Sequence, residues 1–181
     1  MKIIHSFFTI FLCMLASFAG AQTPVKAQAP AVPQTPAGTQ APTVKVLGEV
    51  LNPLTLSATD LAAMPRTTVS AKDKQGVSHS FSGVAVSEIF NKAGVTTGKQ
   101  LRGENLAKYL LVTCADGYQV VFSLAELDSA FTDRVVILAD QEEGKPLPAS
   151  TGPFRLIVPG EKKPARNCFQ VTTLVIRFAK E

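Results

Sequence analysis

Apolar and polar positions change rhythm several times along the chain. Residues 7–18 form an uncharged, largely apolar run after Lys2, and Ala19-Gly20-Ala21 follows it. A positive start, a short apolar stretch and small residues at a cleavage point are the layout of a secretory signal peptide. Cleavage is expected after Ala21, giving an exported protein. The run is shorter than the roughly 20 residues a bilayer span needs. The alternatives are an uncleaved anchor or a buried core helix.

Residues 22–43 carry five prolines and one charge, Lys26, among Ala, Gln and Thr. Such a stretch cannot form a core and reads as an extended linker. Regular patterning starts at Val44, and residues 44–181 are expected to form one domain.

Alternation over 44–50 and a short stretch at 54–56 predict strands. Ser57-Ala58-Thr59-Asp60 is a capping box for a short helix that must end before Pro65. Residues 67–71 and 78–81 flank Asp73-Lys74-Gln75-Gly76, a hairpin signal. Val86, Ile89, Phe90 and Ala93 fall on one helical face, closed by Gly94. Strands are expected at 109–114 and 119–122 around Asp116-Gly117. A second capping box, Ser123 to Glu126, predicts a helix reaching about Phe131. The apolar runs 135–139 and 154–158 read as buried strands. Glu143-Gly144-Lys145-Pro146 reads as a turn, and 170–178 as a last strand. Short helices and irregular alternation exclude repeated βαβ units and predict a mixed α+β fold.

The full chain has 18 Lys and Arg against 14 Asp and Glu; losing Lys2 with the leader leaves 17 basic residues. This mild charge is dispersed, which argues against nucleic acid. Cys13 would leave with the leader. Cys114 and Cys168 either pair as a disulfide or remain buried thiols. His79 is the only histidine beyond the leader, so no metal cluster and no Ser/His/Asp or Cys/His nucleophile can be assembled. It reads as an ordinary strand residue.

Four ordered segments carry a family resemblance. Phe81-Ser82-Gly83-Val84-Ala85-Val86 resembles the W-S-G-V-P-L helix opening of the molybdopterin-binding domain of sulfite oxidase-type oxidoreductases. Asp116-Gly117-Tyr118 with Ser123-Leu124 resembles its D-G-Y…S-L. Gly144-Lys145-Pro146-Leu147-Pro148 resembles G-x-P-L-P, and residues 153–160 resemble P-x-R-L-V-V-P-G. The tail from Arg166 to Ile176 resembles the family's basic residue and last strand. The resemblance implies the mixed-sheet, barrel-like fold of that family. It also implies a pyranopterin held by backbone groups, Arg155 and Arg166.

In that family a cysteine just before W-S-G-V ligates molybdenum. Residues 69–76 here contain none. The combination resembles a subgroup of small periplasmic proteins that bind pterins without molybdenum and are read by a membrane partner. The expectation is therefore a periplasmic, non-catalytic pterin-binding protein that signals through the periplasmic domain of a membrane sensor. The alternative is a molybdopterin-dependent oxidoreductase, with Cys114 supplying sulfur from an unfamiliar position.

By position in the resemblance, the candidate cofactor contacts are Arg155, Arg166, Ser150, Thr151, Asp116, Tyr118, Phe81 and Asn167. Arg155 would offer a planar donor fork; its alternative is an ion pair with an acid such as Asp140. Arg166 could instead belong to a solvated basic loop with Lys162 and Lys163. Asp116 is a turn residue whatever else it does. Phe81 could wall a stacking slot or simply fill the core. Glu126 reads as a cap, and Asp140, Glu142 and Glu143 as loop acids. Phe169 stands where the family often has lysine, which counts against a phosphorylated cofactor.

Overall fold

The computed structural model describes residues 41–179. The leader expected over 1–21, the linker except its last three residues, and Lys180 and Glu181 lie outside the described residues.

Strand β1 (Thr43–Gly48) buries Val44 and Val46 on alternate positions and pairs antiparallel with β2 (Leu54–Ser57). Helix α1 (Ala58–Ala62) starts at the capping box: the Asp60 backbone N–H donates to Ser57 Oγ at 3.2 Å, and the Ser57 N–H to Asp60 Oδ2 at 2.8 Å. It buries only Leu61 before Pro65 ends it. Strands β3 (Arg66–Lys72) and β4 (Ser78–Ala85) form the expected hairpin. Helix α2 (Val86–Ala93) buries the four anticipated residues and ends on Gly94, whose φ of 69° suits a residue without a Cβ.

Strands β5 (Lys108–Cys114) and β6 (Gln119–Ser123) form a second hairpin, followed by β7 (Ile137–Glu142), β8 (Lys145–Pro146), β9 (Arg155–Ile157) and β10 (Val171–Phe178). One sheet has the order β2-β1-β10-β5-β6; the other runs β3-β4-β7-β8, with β9 also on β7. β1 and β10 run parallel, and the remaining pairings are antiparallel. The α+β class is as expected, but the sheets are open rather than closed into a barrel.

The main core includes Val46, Phe90, Phe122, Leu138 and Leu174. A smaller cluster holds Ala71, Phe81, Ile137, Ala139, Leu147 and Ile157. Successive β7 residues therefore join different cores. Burial on both faces explains why this strand reads as a continuous apolar run.

Two expectations need correction. The helix expected over 123–131 is a single 3-10 turn, Leu124–Leu127, closed by Asp128. Ser123 Oγ does accept the Glu126 N–H at 3.3 Å, and the Glu126 side chain also reaches Arg166 and Arg134. The strand expected over 135–139 is shifted to Ile137–Glu142, and Val135 is exposed. Asp140 and Glu142, read as loop acids, are thus strand residues.

Candidate functional site

Two hairpin turns, one from each sheet, frame a hollow of about 610 Å³. The β3–β4 turn is shaped by Asp73, whose Oδ1 accepts the backbone N–H groups of Gln75 and Val77 at 2.8 Å. The β5–β6 turn is shaped by Asp116, whose Oδ1 accepts the Tyr118 N–H at 2.9 Å. Tyr118 Oη donates to the Ala165 carbonyl at 2.9 Å, tying that turn to the segment before β10. Asn167 is buried and its Oδ1 accepts the Val158 N–H at 2.7 Å, clamping the loop that follows β9. A larger hollow of about 940 Å³ shares Asp73, Lys74, Pro164, Ala165 and Asn167 and adds Lys72, Lys162 and Lys163 to the rim.

Arg155 lines the smaller hollow. Its guanidinium lies 4.8 Å from the Phe81 ring centroid and 4.5 Å from that of Phe169, so it is placed against two aromatic rings. Cation–π attraction of this kind contributes roughly 0.5–2 kcal/mol per ring. The side chain is 12% exposed, and Glu142 at 3.8 Å gives only a loose ion pair. Arg155 Nε is buried without a hydrogen-bond partner. Burial pulls the Arg155 pKa down, with Glu142 opposing, yet a guanidinium stays charged at neutral pH. A cation short of acceptors at the wall of a hollow is suited to an anionic or carbonyl-bearing ligand.

The floor carries Cys114 and Cys168, both buried free thiols within hydrogen-bonding reach of each other. Cys168 Sγ also donates to the Arg166 carbonyl at 3.5 Å. Burial pushes both thiol pKa values up, so both sulfurs keep their protons.

Of the eight candidate contacts, Arg155, Asp116, Tyr118 and Asn167 line the hollow, and Phe81 backs Arg155 from the small core. Arg166 does not line it. Its Nε donates to Glu161 Oε1 at 2.8 Å, its Nη2 to the same oxygen, and its Nη1 to Glu126 Oε2 at 2.9 Å, all over the Phe122 ring. Ser150 and Thr151 also fall outside the lining; Thr151 sits in a turn, its N–H donating to the Pro148 carbonyl at 3.0 Å. The partner suggested for Arg155 is also corrected, because Asp140 pairs with Arg66.

Sequence reasoning missed three neighbours: Phe169, Glu142 and His79. Two were within reach of strand periodicity. His79 and Phe81 are two apart on β4 and share a face, and Glu142 stands opposite Phe81 in the register.

The sequence profile described as oxidoreductase molybdopterin binding domain matches residues 30–163. Comparison with curated proteins gives no match. Among solved structures, the sulfane dehydrogenase SoxCD from Paracoccus pantotrophus superposes with a TM-score of 0.59 at 23% identity. The match covers 77% of this chain and 39% of that one, so this chain spans about two fifths of its solved relative. The profile takes in the β3–β4 and β5–β6 hairpins and Arg155, the parts that build most of the hollow. With most of its length covered, the chain belongs to the oxidoreductase molybdopterin-binding domain family.

Proposed function

We propose that this protein is exported to the periplasm and binds a pterin in the hollow beside Arg155 without carrying out redox turnover. Its liganded form would be read by the periplasmic part of a membrane sensor. The observation that carries the reading is Arg155: a cation against Phe81 and Phe169, short of protein acceptors, facing a cavity of about 610 Å³. A cavity of that size lies in the range of small-molecule sites. A pterin offers a flat ring for aromatic contact and a ring carbonyl for the guanidinium. Asp116 Oδ1 is used by the turn, which leaves its second oxygen for a ring amino group.

A molybdopterin is the group that the family implies, and its organic part suits this hollow. The metal suits it less. Molybdenum in this family wants a thiolate, and residues 69–76, where the family's cysteine would fall, hold none. Cys114 and Cys168 line the hollow, but burial favours the protonated thiols. Binding followed by a conformational preference of the partner needs no chemistry at the ligand.

Titration calorimetry of the wild type and R155Q with oxidised and reduced pterins tests the reading. Binding that R155Q weakens at least about tenfold, about 1.4 kcal/mol, is expected. Affinity no better than roughly millimolar for every pterin ends it. The second reading, a molybdopterin-dependent oxidoreductase, rests on the family membership and predicts stoichiometric molybdenum in natively purified protein.

A further inference from the structure

The two hollows share residues but differ in chemistry. The smaller is lined by two aromatic residues, Tyr118 and Phe169, and by Arg155. The larger, of about 940 Å³, has no aromatic residue in its lining. Sites for small organic ligands are mostly apolar, with a few placed polar groups. The larger hollow is instead a cationic groove between the β3–β4 hairpin and the loop after β9.

Lys72 and Lys74 stand on the hairpin side and Lys162 and Lys163 on the loop side, all four exposed. None of the four has an ion-pair partner among the described residues. The two acids in the lining are already engaged. Asp73 Oδ1 accepts the Gln75 and Val77 N–H groups, and its Oδ2 faces His79 Nε2 at 3.2 Å. Glu161 is bound by Arg166 and lies 3.7 Å from Arg134. The groove thus concentrates positive charge that the rest of the chain disperses. Clefts lined by one sign of charge focus the field and draw the opposite charge in.

The hairpin also brings a free strand edge to this groove. Ser70, Ala71 and Lys72 of β3 line it, and β3 is the outer strand of its sheet, paired with β4 alone. Among the described residues no backbone hydrogen bond joins Arg66–Lys72 to any other segment. An outer strand offers a row of backbone donors and acceptors to an incoming extended chain. A small anion has no matching row, and the flat surface of a bilayer does not enter a groove. Lysine on an outer strand discourages pairing with another copy of the same strand. An acidic chain meets attraction there instead.

We propose that this groove docks an extended, carboxylate-rich segment of a partner protein, laid beside β3 with its acids between the two lysine pairs. The proposal gives a chemistry to the partner in the pterin reading, and rests on that reading only for which protein supplies the segment. Asp73, Lys74, Pro164, Ala165 and Asn167 line both hollows, so a docked segment lies next to the hollow of Arg155.

Two measurements with fluorescein-labelled decaglutamate test it. The first is fluorescence anisotropy at low salt. The groove variant K72Q/K74Q/K162Q/K163Q should bind at least about tenfold more weakly than wild type. The variant K45Q/K92Q/K99Q/K145Q loses the same charge from elsewhere on the surface and should stay within about threefold. Raising salt from about 20 to about 300 mM should weaken wild-type binding at least about fivefold. The second is amide hydrogen exchange of wild type, in which decaglutamate should slow exchange over residues 66–74 and 160–165. Equal weakening by both variants, or slowing confined to other segments, overturns the proposal. So does tripolyphosphate, or vesicles of phosphatidylglycerol, binding through the four groove lysines where decaglutamate does not. Decaglutamate docked in the groove with no neopterin bound anywhere counts for the docking surface and against the pterin reading. Neopterin bound with no decaglutamate bound does the reverse.

Discussion

Arg66 and Asp140, 74 residues apart, form a two-pronged ion pair: Nη1 to Oδ2 at 2.7 Å and Nη2 to Oδ1 at 2.5 Å. The pair spans β4 and joins β3 to β7, which are not neighbours in the sheet. It also removes Asp140 from the reach of Arg155. Both side chains are partly exposed, so solvent screening limits its value. D140N should lower unfolding stability in urea by about 0.5–1.5 kcal/mol and leave pterin affinity within about twofold.

Gly83 faces the tightest spot in the β4–β7 pairing, beside a register shift. A Cβ there would sit 2.1 Å from the Leu138 carbonyl oxygen and 2.5 Å from the Ala139 Cα. Backbone cannot yield as a side-chain tip can. G83A should cost about 3 kcal/mol or more, or abolish soluble expression. G76A is the comparison. Nothing lies within 4 Å of its new Cβ, and only the φ of 86° is unfavourable, so a loss near 1 kcal/mol in urea is expected.

Acid should loosen the loop that holds Arg166. Burial pushes Glu126 up, but the hydrogen bond and charge of Arg166, the Ser123 contact and Arg134 together hold its carboxyl below the usual value of 4.5. A depressed carboxylate contributes stability above the unfolded pKa and loses it as pH falls through the folded one. The melting temperature of wild type should therefore drop below about pH 4.5 by more than that of E126Q, which starts lower at pH 7.

Cys114 and Cys168 should be chemically quiet. Only thiolates react readily, and burial raises both pKa values. Reduced native protein treated with iodoacetamide near pH 8 should gain no adduct within an hour, and two after denaturation, by intact mass. Rapid labelling of Cys114 in the native state would show the floor of the hollow to be open.

The helix, hairpins and last strand were legible because local chemistry set them: Ser57 with Asp60, Asp73 before Gly76, Gly94 after Ala93. Ser123 and Glu126 carry the same signature as Ser57 and Asp60, yet yield only one turn. A cap signal fixes where a helix starts and not how far it runs, and the Glu126 carboxylate is also bound by Arg166, 40 residues away. The partners of Arg166, Glu126 and Glu161, are likewise set by tertiary pairing. The setting of Arg155 needed Phe169, which follows a loop, and Glu142, across a sheet. Local patterns name such residues, and tertiary pairing decides which charges remain available.

The last of the described strands in chain order, β10, lies in the middle of its sheet, between β1 and β5. Lys45 meets Thr173 and Gly48 meets Ile176 across more than a hundred residues of sequence. Until Val171–Phe178 has been synthesised, β1-β2 and β5-β6 have no shared neighbour to join them. Closing so large a loop is entropically costly before those contacts form. A nascent chain is thus kept from completing this domain until Val171–Phe178 has been made, and a nonsense codon at or before Val171 would remove the centre of a sheet.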